Sequence, residues 1–498
     1  MSYHSGIFMV GGLASKLVGF LLIPVYTRYL SPADYGILEL LFVTLEVVTI
    51  LAVLGVDSGL FKAFSFEAGS NEEKREVVSS AYYFILVASA LIFGGLILLA
   101  RPISSLLLKD TGDYSGLLRL LFMAGFLKAN SIVPFKILRA NLESIKYTLI
   151  SLLGFVIAVS LNIYFIVGLN QGLAGIVYSD LISSLVVLTV NTIIAKPWLI
   201  FHFYWNELAR MLRFGLPLVP TAMAYLIINI SDRYFLEHLS TTSQLGLYSL
   251  GNKFSSIFHF IFLTPFLTVW PSIYFPLAKS EKASEELGQL FTYFWGVGVW
   301  LVLWLSFLIK PGIIIMAAPE FHSAYRVVPI LLVSLLFYGV VQCVGIGMLI
   351  AGKTKYIPGL IMLAAGINLG LNSLLIPSYG MMGAAWATLF SYLVMSGLSW
   401  GVSQRIYPIT YELRRVLKIG GAGCLLYGGW HLIQGGASTT RLIVSGILLS
   451  SMFPFLLYFM GVYHDKEIEI IKEKLKRWRI TDYVFRNRKL VTIQPQSH

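Results

Sequence analysis

Apolar runs of the length that crosses a bilayer, about 20 residues, recur along the whole chain and are separated by short polar stretches. They lie at 6–28, 36–61, 79–100, 115–137, 147–168, 173–195, 213–236, 244–271, 288–310, 327–350, 356–376, 382–404, 415–434 and 441–463. This pattern predicts an all-α integral membrane protein of about 14 transmembrane helices, grouped as six, six and two. The 244–271 segment is expected to bend at Pro265.

The first two groups read as copies. Residues 146–184 and 355–392 align, with Lys146-Tyr147 matching Lys355-Tyr356, Leu161-Asn162 matching Leu371-Asn372, and Gly172/Gly175 matching Gly380/Gly383. Earlier, Thr27-Arg28-Tyr29-Leu30 before Gly36 matches Asp232-Arg233-Tyr234-Phe235 before Gly246. An even number of spans per copy gives both copies the same orientation. They should then be parallel repeats about an axis along the membrane normal, a plan common in transporters. The expected organisation is an N-lobe over 1–196, a cytoplasmic linker over 197–212 and a C-lobe over 213–404. Two extra helices follow over 405–463, then a tail over 464–498.

Composition agrees with a bilayer environment. The 498 residues are 57% hydrophobic and 12% charged, with a mean hydropathy of +0.77; a soluble domain is about 25% charged. Cys343 and Cys424 lie in apolar segments and read as small core residues, with neither a disulfide framework nor a metal site behind them. The opening MSYHSG lacks the basic region of a cleaved signal, and Lys16 interrupts the first apolar run, so that run is expected to remain as a first span.

Lysines and arginines in the loops and at span ends divide 26 to 7 between the two sides, with Lys16, Arg119, Lys128 and Lys253 inside spans. The richer side, which carries the C-terminal tail, should be cytoplasmic, as should both termini; the protein is expected in a bacterial plasma (inner) membrane. Much of the net +12 therefore marks orientation and contact with anionic membrane lipids, not nucleic acid. In the tail, Ile468, Ile471, Leu475 and Trp478 share a stripe beside Lys472, Lys476 and Arg479, a pattern that suits a helix lying on the inner leaflet.

A charge at mid-span costs at least about 2.5–3.5 kcal/mol, so each needs a partner or water. Lys16 sits mid-helix in the first span and Arg28 at its outer end; Asp232 and Arg233 take the corresponding end of helix 7. Lys128 lies in helix 4 and Lys253 in helix 8, and Arg119 is close enough to an interface to reach it. Lys16, Lys128 and Lys253 are expected to border a water-filled cavity, or to pair with carboxylates. In helix 2, Glu39, Glu46 and Asp57 follow at seven and eleven residues and so should share one face. They could balance the lysines or carry H+ or Na+; the spacing alone does not choose, and Asp232 is the comparable group in the second half. Gly11-Gly12 in helix 1 and Leu216-Pro217 in helix 7 are paired weak points that suit alternating access.

No catalytic constellation emerges. There is no phosphate-binding glycine loop with its lysine, and no two of the eight histidines have metal-ligand spacing. No cofactor is expected beyond a coupling ion, and no enzymatic activity.

The segment PVYTRYLSPADYGILELL, residues 24–41, resembles the opening motif of the Wzx-type bacterial polysaccharide flippases, and the paired Lys-Tyr and Leu-Asn…Gly…Gly elements extend the likeness over both halves. That family shares a superfamily with lipid II flippases and multidrug antiporters. The resemblance implies two six-helix lobes around a central cavity lined by cations, which Lys16, Arg28, Lys128, Arg233 and Lys253 could supply. It also implies export of an undecaprenyl-diphosphate-linked oligosaccharide for surface polysaccharides such as O-antigen or exopolysaccharide. A polysaccharide polymerase or glycosyltransferases would be the protein partners. The chemistry is compatible: a diphosphate-sugar head cannot cross hydrocarbon without a wet, cationic path. Two alternatives are a multidrug cation antiporter, which should place carboxylates in the cavity, and a membrane glycosyltransferase. The short outer loops near 101–114 and 311–326 disfavour the enzyme.

Overall fold

The computed structural model describes residues 19–109, 112–433, 438–469 and 473. Among them every regular element is helical. In chain order the α-helices are α1 (Ile23–Tyr29), α2 (Pro32–Val53), α3 (Val56–Lys62), α4 (Asn71–Leu98), α5 (Ala100–Leu107), α6 (Ser115–Ala140), α7 (Ser144–Ile163) and α8 (Gly172–Ala195). There follow α9 (Trp205–Gly215), α10 (Val219–Leu239), α11 (Thr242–Phe258), α12 (Thr264–Leu277), α13 (Ala283–Met316), α14 (Val328–Val344) and α15 (Ile346–Ile350). The last are α16 (Tyr356–Tyr379), α17 (Met381–Ile406), α18 (Leu413–Ile433) and α19 (Thr439–Phe459).

Twelve helices among the described residues are long and apolar enough to cross a membrane. They correspond to twelve of the fourteen expected segments. The expected 6–28 segment lies mostly outside the described residues, and 415–434 forms the 21-residue α18. Gly11-Gly12 and nearly all of the tail stripe, from Ile471 on, also lie outside them.

The chain divides into two compact units. One holds the chain up to Ser284 together with Ile309–Ile409; the other holds Glu285–Leu308 with Thr410 onward. The stretch 285–308, counted with the second copy in the sequence, thus clusters with α18 and α19.

Within the first unit the duplication is visible in backbone geometry. Gly172 and Gly380 open α8 and α17 with φ of +50° and +53°, a region open to glycine at little cost. Ser31 and Thr241 cap α2 and α11 by accepting from the backbone N–H groups of Asp34 and Gln244. The matching glycines meet each other: a Cβ on Gly36 would strike the Thr242 carbonyl, and one on Gly246 would strike that of Pro32. Reciprocal contact of equivalent positions is what a two-fold relation between copies produces. Close packing rests on small residues, as expected where lipid removes the usual hydrophobic driving force: α17 buries Gly383, Ala384, Ala385, Ala387, Ser391 and Ser399. Large apolar side chains such as Leu91 and Leu98 stay exposed, for lipid to cover.

Two expectations about helix shape need correction. Helix 2 does not continue to Asp57. Leu54 and Gly55 both take positive φ, +50° and +74°, and separate α2 from α3. Asp57 therefore leaves the face shared by Glu39 and Glu46. In helix 8 the irregularity precedes Pro265: His259–Leu263 is a π-helical turn, and Pro265 falls harmlessly in the first turn of α12. At Leu216-Pro217 the helix tightens into a 3-10 turn over Leu216–Leu218, between α9 and α10, without leaving right-handed helical backbone.

The second unit packs around Trp430, which is fully buried with its ring centroid 4.9 Å from that of Phe307. Trp300 Nε1 donates to the Ser450 carbonyl at 2.9 Å. A cavity of about 170 Å³ here is lined by Tyr293, Trp300, Arg415, Phe453, Leu457 and Tyr463 among others. Cys343, in the first unit, is buried, whereas Cys424, in α18, is exposed and is not the core residue expected.

Candidate substrate-binding site

The face of α2 that carries Tyr35, Glu39, Phe42 and Glu46 collects cations from both copies. The spacings of four, three and four residues keep these side chains on one stripe. Lys253 of α11 lies 3.4 Å from Glu39 Oε1 and donates to the Tyr35 hydroxyl at 3.2 Å, with its ammonium 5.6 Å from that ring's centre. Within one further turn of α2, Lys128 of α6 lies 5.6 Å from the Phe42 ring centre. Lys128 is also gripped by both oxygens of Asp180 on α8, each at 2.7 Å. Glu46 is exposed and forms no ion pair among the described residues.

These two pairs are partly open. The Lys128 and Asp180 side chains are 40% and 19% exposed, and those of Lys253 and Glu39 are 27% and 19%. A partly exposed ion pair holds less tightly than a sealed one, so displacing its carboxylate by another anion costs less than at a buried pair. An aromatic face beside each ammonium adds attraction without occupying its N–H donors.

Arg233 behaves differently. Its side chain is 6% exposed and that of Asp232 2%, with 2.9 Å between Nη1 and Oδ1. Tyr248 donates its hydroxyl to Asp232, and Arg233 donates to the Asn229 carbonyl. Breaking such a buried pair costs about 3–5 kcal/mol, so in this conformation Arg233 is closed to a ligand. Around it the second copy builds a neutral network in which Ser231 donates to Asn368 at 2.9 Å, Asn372 donates to both, and Tyr392 donates to Asn229 at 3.1 Å.

Of the remaining candidates, Arg28 is exposed on α1 and forms no ion pair with a described residue, and Lys16 lies outside the described residues. Asp57 pairs with Lys136 at 2.8 Å, away from the α2 stripe. Glu39, Asp57 and Asp232 each lie in an ion pair. Arg119 is exposed, near the start of α6. Sequence reasoning missed Asp180, the anchor of Lys128, although a lone carboxylate in helix 6 was itself a signal. It also missed Glu237, which is 2% exposed. A second cavity of about 40 Å³, bordered by Tyr225, Gln342, Met348 and Met395, is not lined by any of the candidate cations. No group of three or more His, Cys, Asp or Glu residues able to hold a metal occurs among the described residues.

In the second unit, Arg415 bridges Glu412 and Glu467 at 2.9 and 2.8 Å, and His464 Nε2 lies 3.0 Å from Glu412. Burial pushes the Glu412 carboxyl up, but hydrogen bonds from His464, Thr292 and Arg415 outweigh it and hold the group below its ordinary value. Glu467 is likewise lowered, with burial opposed by Tyr293, the His464 backbone and Arg415.

The polysaccharide biosynthesis protein family matches residues 25–308, more than half of the chain. The chain belongs to this family. The match agrees with the likeness to polysaccharide flippases drawn from residues 24–41.

Among curated family relatives, a protein of the Lsg locus of Haemophilus influenzae is 24% identical over 60% of this chain and 73% of its own. The succinoglycan biosynthesis transport protein ExoT of Rhizobium meliloti is 25% identical over 54% of this chain and 52% of its own length. Among solved structures, the inward closed conformation of the lipid II flippase MurJ superposes with a TM-score of 0.73 at 15% identity, covering 92% of this chain and 99% of that one. An inward-facing MATE multidrug transporter gives 0.60 at 15% identity over 83% and 96%. The Vibrio cholerae MATE transporter VcmN gives 0.56 at 16% over 81% and 95%. The fold is therefore shared with these flippase and transporter structures, and the protein is a multi-pass membrane protein.

Proposed function

We propose that the family member described here is a flippase. It would move an undecaprenyl-diphosphate-linked oligosaccharide from the cytoplasmic to the outer leaflet of a bacterial plasma membrane by alternating access. The observation that carries this reading is the convergence of Lys128 and Lys253, from different copies, on one face of α2 in partly open ion pairs. A diphosphate offers each ammonium more acceptor oxygens than Asp180 or Glu39 does, so capture is an exchange of anions. Arg28, exposed on α1, would add a further cation. Because the cations come from both copies, separation of the copies also separates the parts of the grip and releases the head. If the head carries about −2, a potential of 100 mV, negative inside, favours outward movement by roughly 4.6 kcal/mol, from about 2.3 per charge. H+ or Na+ coupling through Glu39, Glu46 or Asp232 would add to this. A polymerase or glycosyltransferases would stand on either side of the step.

The test is transport of a lipid-linked diphosphate oligosaccharide in proteoliposomes with an imposed potential. Lys253→Ala should lower the rate at least about tenfold, the equivalent of about 1.4 kcal/mol in the barrier, with little loss of folding stability. Unchanged transport in Lys253→Ala and Lys128→Ala would remove the proposed grip. A second reading, a cation antiporter, draws support from the exposed carboxylate of Glu46, which forms no ion pair with a described residue. Under it, Lys16→Ala and Lys253→Ala would spare export of an organic cation while Glu46→Gln abolished it.

A further inference from the structure

The outer ends of the two copies are tied by contacts that cross from each copy to the other. The first copy's α5–α6 connection reaches the end of α10: Lys109 donates its backbone N–H to Glu237 Oε1 at 3.3 Å and its ammonium to the His238 carbonyl at 3.2 Å. The second copy's loop after α13 reaches back to the end of α1, where the Ala318 N–H donates to Thr27 Oγ1 at 3.3 Å. Phe321 sits edge-on to Tyr35, 5.9 Å between ring centres. The two crossings follow the same two-fold logic as Gly36 and Gly246. The loop count of lysines and arginines assigns them to the face away from the cytoplasm.

One crossing contains an imidazole. His238 Nδ1 lies 2.9 Å from the Tyr234 carbonyl oxygen, on its own helix, and Nε2 lies 3.0 Å from the Leu106 carbonyl oxygen, on the other copy. A carbonyl oxygen can only accept. Both bonds therefore coexist only when both ring nitrogens carry a hydrogen, as in the imidazolium. The residue is exposed, so protons reach it from solvent. Among the described residues, the titratable groups at this contact are Lys109 and Glu237, with Tyr114 and Asp34 beyond them. Lys109 opposes a second positive charge, and the Glu237 carboxylate, whose Oε2 is buried without a hydrogen bond, compensates for it. Tyr114 stays neutral, its hydroxyl pushed up by burial and by the charges of Asp34 and Glu237. In the opposite crossing, His322 faces one carbonyl, that of Ala317 at 3.2 Å, and needs a single N–H.

We propose that His238 is a proton-binding site that latches the outer ends of the two copies together. Doubly protonated, it joins Leu106 of the first copy to Tyr234 of the second; loss of a proton gives up one of these bonds. Acid outside then favours the closed outer end, so protonation from that side resets the protein after release. This last consequence rests on the transporter reading, whereas the latch itself does not.

Two spin labels report on it, at Ser105→Cys and Ser243→Cys, both exposed positions, in the full chain with Cys343→Ser and Cys424→Ser, reconstituted in nanodiscs. Double electron–electron resonance is recorded at about pH 5.5 and about pH 8, on either side of the ordinary histidine value of about 6.5. Loss of one hydrogen bond should raise the open-to-closed ratio about fivefold between these conditions. His238→Gln should show the more open distribution at both values, and His322→Gln should respond as the unsubstituted protein does. The latch is overturned if the unsubstituted protein shows no response to pH, or if His238→Gln keeps one. Label distances need no substrate: a pH response without saccharide transport would remove the transporter reading and leave the latch, and the converse would do the opposite.

Discussion

The two copies share a polar clasp and differ in what surrounds it. In the first, Tyr26 of α1 donates to Asn162 of α7 at 3.0 Å. At the aligned place in the second, Asn372 of α16 donates to Ser231 of α10 at 3.3 Å. The same two helices are joined at the same level in both. Beyond that contact the copies part. The first holds Lys128 against Asp180 in a partly exposed pair, while the second seals Asp232 and Arg233 behind Tyr248. Duplication preserved the polar bond between helices, which positions the backbone. It left the charges paired within each copy free to diverge into one partly exposed pair and one sealed pair.

The strongest way to break this comparison is to remove one carboxylate from each pair. Asp232→Ala leaves a buried guanidinium uncompensated and should cost about 3–5 kcal/mol, read as a large fall in thermal unfolding temperature in detergent. Asp180→Ala should cost about 1 kcal/mol or less in the same measurement. Equal losses would mean that the two pairs do not differ as described.

The glycine crossing comes next. Gly246→Ala forces α2 and α11 apart and should cost about 1–3 kcal/mol. Gly366→Ala, in α16 where a side chain would meet nothing within 4 Å, should instead gain up to about 1 kcal/mol. The clasps sharpen the comparison further. Asn162→Ala and Asn372→Ala should each cost about 1 kcal/mol, with Asn372→Ala the larger, because Asn368 loses a partner as well.

The smallest effect lies outside the copies and bounds them. Glu412 and Glu467 titrate below their ordinary value when folded, so their contribution is complete above the normal carboxylate pKa of about 4.3. It is lost as pH falls through the lowered value. A pH series of unfolding temperatures should therefore decline in acid, and Glu412→Gln should flatten the decline slightly. A decline instead on the alkaline side would contradict the sign.

Much of this was legible in the residues. The span pattern located twelve of the described helices because a bilayer requires about 20 apolar residues in a row, whatever the partners. Gly172 and Gly380 announced equivalent turns, and Gly36 and Gly246 equivalent contacts, because glycine is needed for local reasons. The Leu54–Gly55 break was not legible: nothing in the local sequence marks Leu54 for a positive φ, and an 11-residue spacing presumes one continuous helix. The Lys128–Asp180 and Lys253–Glu39 pairs were equally hidden, since each joins positions 52 or 214 residues apart.

By itself, then, the sequence determined that this chain crosses a membrane many times, is built from two related parts and carries buried charge, because hydropathy and repetition are properties of short segments. Tertiary structure alone decided which charges are available. Lys253 and Arg233 look alike in sequence, each a cation beside polar neighbours in an apolar helix. One ends half open against Glu39 and Tyr35, the other enclosed by Asp232, Asn229 and Tyr248, because burial is set by what the neighbouring helices bring to the same point.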